Sequence, residues 1–236
     1  MRQKLLLSGA LAAAALIGVS LWAQRRSAVE KKDAQILALG DSYTIGEGVA
    51  ESERWPSQLA KALRKEGFSI ATPKVIARTG WTTGDLLAAT NSVDLPKSYD
   101  VVTLLIGVND QFRWGGAEAY RPEFRQMLQR AIHFAGGKKN RVIVISIPDW
   151  GITPFAKGRD PEAIAAAIAQ FNAVNRDESA KADVRYVDIT PVSRVAAREP
   201  ALLVADGLHP SAGMYARWSA LILPSAKEVL LEPPKN

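Results

Sequence analysis

The chain has 236 residues, of which 47% are hydrophobic and 23% are charged, a balance typical of one α/β domain with a core of ordinary size. It contains no cysteine, which excludes disulfide bonds, a cysteine nucleophile, a cysteine-ligated zinc site and a lipidated N-terminal cysteine. The formal charge of +6 falls to +2 (26 basic and 24 acidic residues) without the four basic residues of segment 1–26, so a nucleic-acid partner has little electrostatic support.

The first predicted element is an apolar segment at the N-terminus. Arg2 and Lys4 precede an uncharged run over residues 5–23, which is the pattern of a secretory signal. The 19 residues of this run are also close to the ~20 that a membrane-spanning helix needs. We therefore predict that residues 1–34 are a signal peptide or membrane anchor plus a short linker, and that residues 35–236 form the folded domain. The protein is then expected to be exported, either periplasmic or secreted, or to be held at a membrane by residues 5–23.

After the linker, short apolar runs alternate with helical segments. The five runs are nearly continuous, as expected for strands buried on both faces of a parallel sheet, and cover residues 36–39, 74–77, 101–106, 142–147 and 184–189. Helices are predicted over residues 55–66, 83–90, 118–135, 161–182 and 211–231, the last bent or broken near Pro224. This alternation predicts a three-layer α/β/α sandwich with a central, mostly parallel five-stranded sheet. Its ligand crevice should lie outside the carboxyl ends of the strands.

Three short polar motifs lie near the predicted strand ends or before the last helix. They are Gly40-Asp41-Ser42, Gly107-Val108-Asn109-Asp110 and Asp206-Gly207-Leu208-His209. Taken alone, the first is an ordinary turn and the asparagine of the second can cap the next turn. The third is more specific, because its spacing lets the aspartate accept a hydrogen bond from one imidazole nitrogen while the other nitrogen faces a nucleophile. The only other histidine, His133, falls inside a predicted helix and is expected on its surface or at its C-terminal end.

In this order, the three motifs resemble the conserved blocks of the SGNH (GDSL-type) hydrolase family. Gly80, after the second predicted strand, matches the family's remaining block, and Trp55-Pro56 also looks like the family. The resemblance covers roughly residues 35–225, with Tyr43 in place of the leucine common after the serine. It implies the flavodoxin-like SGNH hydrolase fold and a carboxylic ester hydrolase. No cofactor is expected, nor a metal, since one histidine and scattered carboxylates form no ligand cluster.

The resemblance also implies a role for each motif residue. Ser42 is the nucleophile, His209 is its base, and Asp206 orients and stabilises the imidazole ring. The oxyanion would be bound by the backbone N–H groups of Ser42 and Gly80 and by the side chain of Asn109. The two other aspartates of the motifs, at positions 41 and 110, are expected to be structural.

The sequence leaves the substrate open among three classes of ester. These are acetyl esters on carbohydrate or cell-wall glycan, short acyl esters of small alcohols, and fatty acyl esters such as those of lysophospholipases and thioesterases; small acyl groups are favoured. Substrate contacts are predicted for Tyr43, Trp81 and Trp150. Phe112, Trp114 and Phe155 are further aromatic residues near the crevice, where such side chains line acyl channels, stack on sugars or merely pack. An acyltransferase with the same triad is an alternative, and a non-catalytic glycan-binding module is disfavoured by the intact triad.

Overall fold

The computed structural model describes residues 32–93, 95–96, 98–113 and 116–233. The predicted signal or anchor at residues 5–23, and Trp114, lie outside these ranges, so the N-terminal segment and the export that it implies stay predictions. No helix within the described ranges is long and apolar enough to cross a membrane.

A parallel sheet of five strands forms the centre of the domain. The strands are β1 (Ile36–Gly40), β2 (Lys74–Ala77), β3 (Val101–Leu105), β4 (Val142–Ile145) and β5 (Arg185–Val187), in the spatial order β2-β1-β3-β4-β5. All four neighbouring pairs are parallel, and every residue of β1, β3 and β4 is buried. The predicted parallel sheet is therefore confirmed. The chain runs from β1 to β2 on one side and then to β3 on the other, so the topological switch point lies at β1.

Helices cover both faces of this sheet. They are α1 (Ser42–Ile45), α2 (Trp55–Lys65), α3 (Thr83–Asn91), α4 (Val108–Phe112), α5 (Ala117–Phe134), α6 (Pro161–Lys181), α7 (Thr190–Ser193) and α8 (Ala212–Leu231). α2 packs against α8, while α5 packs against both α3 and α6. The sandwich of the α/β class is thus confirmed, and each long helix ends within a residue or two of its predicted bounds.

Two predicted features differ from the structure. α8 continues through Pro224 to Leu231, so the predicted break is absent. Proline removes one backbone N–H, and the carbonyl that it frees, on Ala220, belongs to an exposed residue where water can bind it. β5 covers three residues where six were predicted, because it is an edge strand with a single neighbour and the apolar run continues into the following turn.

Candidate active site

The first strand delivers Ser42 to the carboxyl edge of the sheet. Asp41 caps α1, and its Oδ1 accepts a hydrogen bond from the backbone N–H of Tyr43 at 3.0 Å. The preceding Gly40 has no room for a side chain, since a Cβ there would overlap Thr44 and lie 2.5 Å from the carbonyl oxygen of Leu105. Ser42 is 5% exposed, so its hydroxyl group stands at the bottom of a pocket and not on an open surface.

Asp206 makes three hydrogen bonds with His209 and the preceding Leu208. The Nδ1 atom of His209 lies 2.6 Å from Oδ2 of Asp206, while Oδ1 accepts the backbone N–H groups of Leu208 at 2.8 Å and His209 at 2.9 Å. Partial burial alone would raise the pKa of Asp206, but the hydrogen bonds from His209 and Leu208 outweigh it and the pKa is lowered. An ionised Asp206 places the imidazole proton on Nδ1 and leaves Nε2 as an acceptor.

The two other predicted oxyanion donors lie in adjacent turns. Gly80 has φ +81°, and nothing lies within 4 Å of a Cβ built on it. The positive φ therefore favours glycine here, whereas no protein atom would crowd a side chain at this position. Asn109 Nδ2 donates to the carbonyl oxygen of Trp81 at 2.9 Å, which fixes the amide and leaves its second N–H free. Arg113 Nη2 donates to the carbonyl oxygen of Gly80 at 2.9 Å and holds the same turn.

A pocket of about 150 Å³ joins these elements. It is lined by Ser42, Tyr43, Thr79, Gly80, Val108, Asn109, Phe112, Trp150, Phe155, Leu208 and His209. Of the eight predicted site residues, six line the pocket and Asp206 reaches it through His209. The indole ring of Trp81 does not line the pocket, and this residue contributes the carbonyl group that holds Asn109.

Aromatic side chains from two elements form one wall of the pocket. Phe112, at the end of α4, meets Trp150 edge-on with ring centroids 5.4 Å apart, and Phe155 lies 6.1 Å from Trp150. Trp150 Nε1 donates to Oε1 of Gln111 at 2.9 Å. The loop after β4 supplies both Trp150, a predicted substrate contact, and Phe155.

Tyr43 supports the imidazole ring from behind. Its ring centroid lies 5.5 Å from that of His209 and 6.1 Å from that of Trp218. Burial raises the pKa of the Tyr43 phenol, so the side chain stays neutral. A neutral ring next to His209 restricts the rotation of the imidazole without adding charge to the pocket.

The aspartates of the first two motifs differ in burial, since Asp41 is buried and Asp110 is half-buried. Burial raises the pKa of Asp41 to about 8, with a further contribution from the charge of Asp110, and Oδ2 of Asp41 has no hydrogen-bond partner. Burial also raises the pKa of Asp110, whose carboxylate accepts the backbone N–H and hydroxyl group of Thr83 at 3.0 and 3.1 Å. Asp41 is therefore mostly protonated at neutral pH, which keeps a negative charge away from the neighbouring Ser42.

Sequence reasoning missed several residues at the pocket. Thr79, Val108 and Leu208 line it, and each directly precedes a predicted motif residue, so adjacency was the available signal. Thr79 also donates its hydroxyl hydrogen to Glu47, in the loop after α1. Nothing in the sequence pairs residue 47 with residue 79. Within the described ranges, no group of three or more histidine, aspartate or glutamate side chains is placed to hold a metal ion.

The model of the GDSL-like lipase/acylhydrolase family matches residues 38–217, the part of the chain that contains the sheet, the pocket and all four motif blocks. The chain belongs to this family. The prediction of an SGNH-type carboxylic ester hydrolase is thereby confirmed at the level of the family. No curated protein is significantly similar to the chain in sequence.

Solved structures of other proteins share the fold of this GDSL-family hydrolase. TesA is 21% identical with a TM-score of 0.66, and the match covers 83% of this chain and 99% of TesA. The lipase/acylhydrolase from Enterococcus faecalis is 24% identical with a TM-score of 0.64, covering 86% and 99%. A mutant of Axe2, an acetyl-xylooligosaccharide esterase from Geobacillus Stearmophilus, is 18% identical with a TM-score of 0.62, covering 86% and 97%. At these identities the likeness shows the fold.

Proposed function

We propose that this GDSL-family hydrolase is a serine esterase that cleaves carboxylic O-acyl esters through an acyl-enzyme intermediate. The observation that carries the proposal is the convergence of Ser42, Gly80, Asn109 and His209 on one pocket, with His209 bonded at 2.6 Å to Asp206. A serine, a base with a free nitrogen, a carboxylate that orients the base and nearby N–H donors are the parts that acyl transfer requires.

Each of these groups has one role in the proposed reaction. Ser42 Oγ attacks the ester carbonyl carbon while His209 Nε2 takes its proton, and Asp206 stabilises the imidazolium ion. The N–H groups of Ser42 and Gly80 and the free amide N–H of Asn109 stabilise the oxyanion. His209 then donates its proton to the leaving alcohol. In the second half, His209 takes a proton from water and the hydroxide attacks the acyl carbon. The bond from that carbon to Ser42 Oγ then breaks, His209 returns the proton to Ser42 Oγ, and the carboxylic acid is released.

The size of the pocket favours short acyl groups. Liquid water occupies about 30 Å³ per molecule, so 150 Å³ holds about five groups the size of a water molecule or a methylene. This volume favours an acetyl to butyryl group over a fatty acyl chain. Glycan and small-alcohol esters both satisfy this limit, and Axe2, with the same fold, acts on acetyl-xylooligosaccharides. Action outside the cytoplasm is part of the same proposal and rests on the N-terminal sequence pattern alone.

The test is hydrolysis of p-nitrophenyl esters from acetate to dodecanoate. Wild type and a Ser225→Ala control, altered at a half-buried serine of α8, should release p-nitrophenol fastest from the shortest esters, whereas Ser42→Ala should fall to the background rate. Full activity of Ser42→Ala would refute the mechanism, and a preference for dodecanoate would refute the short-acyl assignment. Analysis of the products with an added alcohol separates a hydrolase, which yields free acid, from an acyltransferase, which yields a new ester.

A further inference from the structure

A second and larger cavity lies beside the catalytic pocket. Its volume is about 690 Å³, and it is lined by Gln111, Phe112, Gly116, Ala117, Trp150, Arg159, Asp160, Ala163, Ile164, Ala167, Gln170 and Phe171. Phe112 and Trp150 line both spaces, so the two are neighbours across one aromatic wall. We call this space the outer cavity.

Arg159 brings a positive charge to the outer cavity. Its guanidinium carbon lies 4.8 Å from the ring centroid of Phe112, 5.2 Å from that of Trp150 and 5.8 Å from that of Phe155. Contacts of this kind hold a guanidinium group by cation–π attraction. Within the described ranges Arg159 has no carboxylate partner, although 16 ion pairs occur among other residues. Its N–H groups are therefore positioned by the rings and available to an acceptor.

One oxygen of the one carboxylate that lines the outer cavity is bonded to the helix that follows it. Asp160 caps α6, and its Oδ1 accepts the backbone N–H groups of Glu162 at 2.9 Å and Ala163 at 3.1 Å. Most of the remaining lining is apolar, from Ala163 and Ile164 on α6 to the aromatic wall. The outer cavity thus offers a largely apolar surface with the guanidinium group of Arg159, which forms no ion pair with Asp160.

Given the esterase function proposed above, on which this inference rests, we propose that the outer cavity binds the alcohol half of the substrate, and that this half has an apolar body and an acidic group that pairs with Arg159. The division between halves follows from volume, because the catalytic pocket of 150 Å³ holds a short acyl group and the outer cavity is more than four times larger. The charge follows from Arg159, since a carboxylate or phosphate forms charge-assisted hydrogen bonds with a guanidinium group.

The experiment compares two acetyl esters that differ in one charge. 4-Acetoxyphenylacetate carries a carboxylate remote from the ester bond, and its methyl ester is neutral, so both have nearly the same leaving group. With the full chain, kcat/KM should be about tenfold higher for the anion, the size expected for one charge-assisted pair near solvent. In Arg159→Gln the ratio of kcat/KM for the anion to kcat/KM for the methyl ester should fall to about one. Lys157 is a neighbouring exposed residue that does not line the cavity, so Lys157→Gln should keep the wild-type ratio.

A second pair of variants tests the cavity itself. Ala167→Trp would fill the outer cavity, and it should lower kcat/KM for the methyl ester at least fivefold relative to ethyl acetate. Ala166→Trp, one residue away and outside the lining, should leave that ratio unchanged. These ratios are measured within one variant, so a general change in activity or folding cancels.

The failures of the two proposals are distinguishable. If Ser42-dependent hydrolysis of ethyl acetate occurs but neither ratio responds to Arg159→Gln or Ala167→Trp, the outer cavity is not a subsite while the esterase stands. A second comparison places the carboxylate on the acyl half, with the monophenyl ester of succinic acid measured against its methyl ester. If the Arg159-dependent preference for the anion appears in this pair, the outer cavity does not bind the alcohol half and that assignment is overturned. If no ester is hydrolysed in a Ser42-dependent way, the esterase function fails and the subsite with it.

Discussion

The buried carboxyl group of Asp41 should make the stability of this protein fall as the pH rises. Replacement by asparagine removes the proton exchange and keeps the shape, because the amide oxygen can still accept the N–H of Tyr43. An acid whose pKa is raised on folding binds more protons in the native than in the unfolded state. Its contribution is therefore greatest below the unfolded pKa of 3.8 and is lost progressively up to the folded value of about 8.

The magnitude follows from the linkage relation. Between pH 5 and 7 the unfolded Asp41 is almost fully ionised and the folded one is almost fully protonated, so the free energy of unfolding changes by nearly 1.36 kcal/mol per pH unit. Wild type should thus lose about 2 to 3 kcal/mol relative to Asp41→Asn over these two units. A buried amide N–H₂ without a partner costs about 1–3 kcal/mol. That penalty does not depend on pH. The test is therefore how the difference in unfolding free energy between wild type and Asp41→Asn changes with pH, and not the size of the difference at any one pH.

Urea denaturation at pH 5, 6 and 7 measures this slope, with the free energy of unfolding extrapolated at each pH. Asp183→Asn is a matched control, because it makes the same chemical change at an exposed residue whose φ of 56° suits asparagine. A difference between wild type and Asp41→Asn that stays constant from pH 5 to 7 would show that Asp41 is ionised in the native protein and refute the reasoning.

Three further predictions concern the catalytic groups. Gly80→Ala and Gly67→Ala both place a Cβ at positive φ in open space, so each should lose about 1–2 kcal/mol of stability, but only Gly80→Ala should also lower kcat. Equal activity of the two variants would count against Gly80 as an oxyanion donor. Asn109→Ala should lower kcat about 10²–10³-fold with a small change in KM, as steady-state kinetics on p-nitrophenyl acetate would show; a change in KM alone would assign Asn109 to binding. Asp206→Asn alters the hydrogen bonding of His209 and should therefore lower kcat by up to about 10⁴-fold, while the urea midpoint stays nearly unchanged. A variant with wild-type kcat would contradict the role of Asp206 as the partner of His209.

The sequence predicts the sheet well because parallel strands buried on both faces appear as continuous apolar runs, and β1 and β3 match almost residue for residue. Prediction fails where the environment is asymmetric. β5 is cut short at the sheet edge, and α8 continues through Pro224, whose freed carbonyl group belongs to the exposed residue Ala220. Neither environment is visible in a linear pattern of apolar residues.

For the candidate site too, local sequence features could be predicted and contacts between distant segments could not. The motif residues could be predicted because each is tied to a strand end or to a short local spacing, as for Asp206 and His209. Contacts between distant segments could not, since nothing local marks Gln111 as the partner of Trp150, or Arg159 as the cation above the aromatic wall. The physical reason for Gly80 also needed the backbone angle, because glycine is equally consistent with crowding and with positive φ.

The aromatic wall between the two cavities has an evolutionary meaning. Trp150 is held in place by its hydrogen bond to Gln111, whereas Phe112 contributes to the wall through its ring alone. Loss of the Phe112 ring would remove part of the wall between the catalytic pocket and the outer cavity without altering Ser42, Asp206 or His209. We therefore expect that a single substitution at position 112 would let longer acyl chains enter, so that the substrate range could change while the catalytic chemistry stays the same.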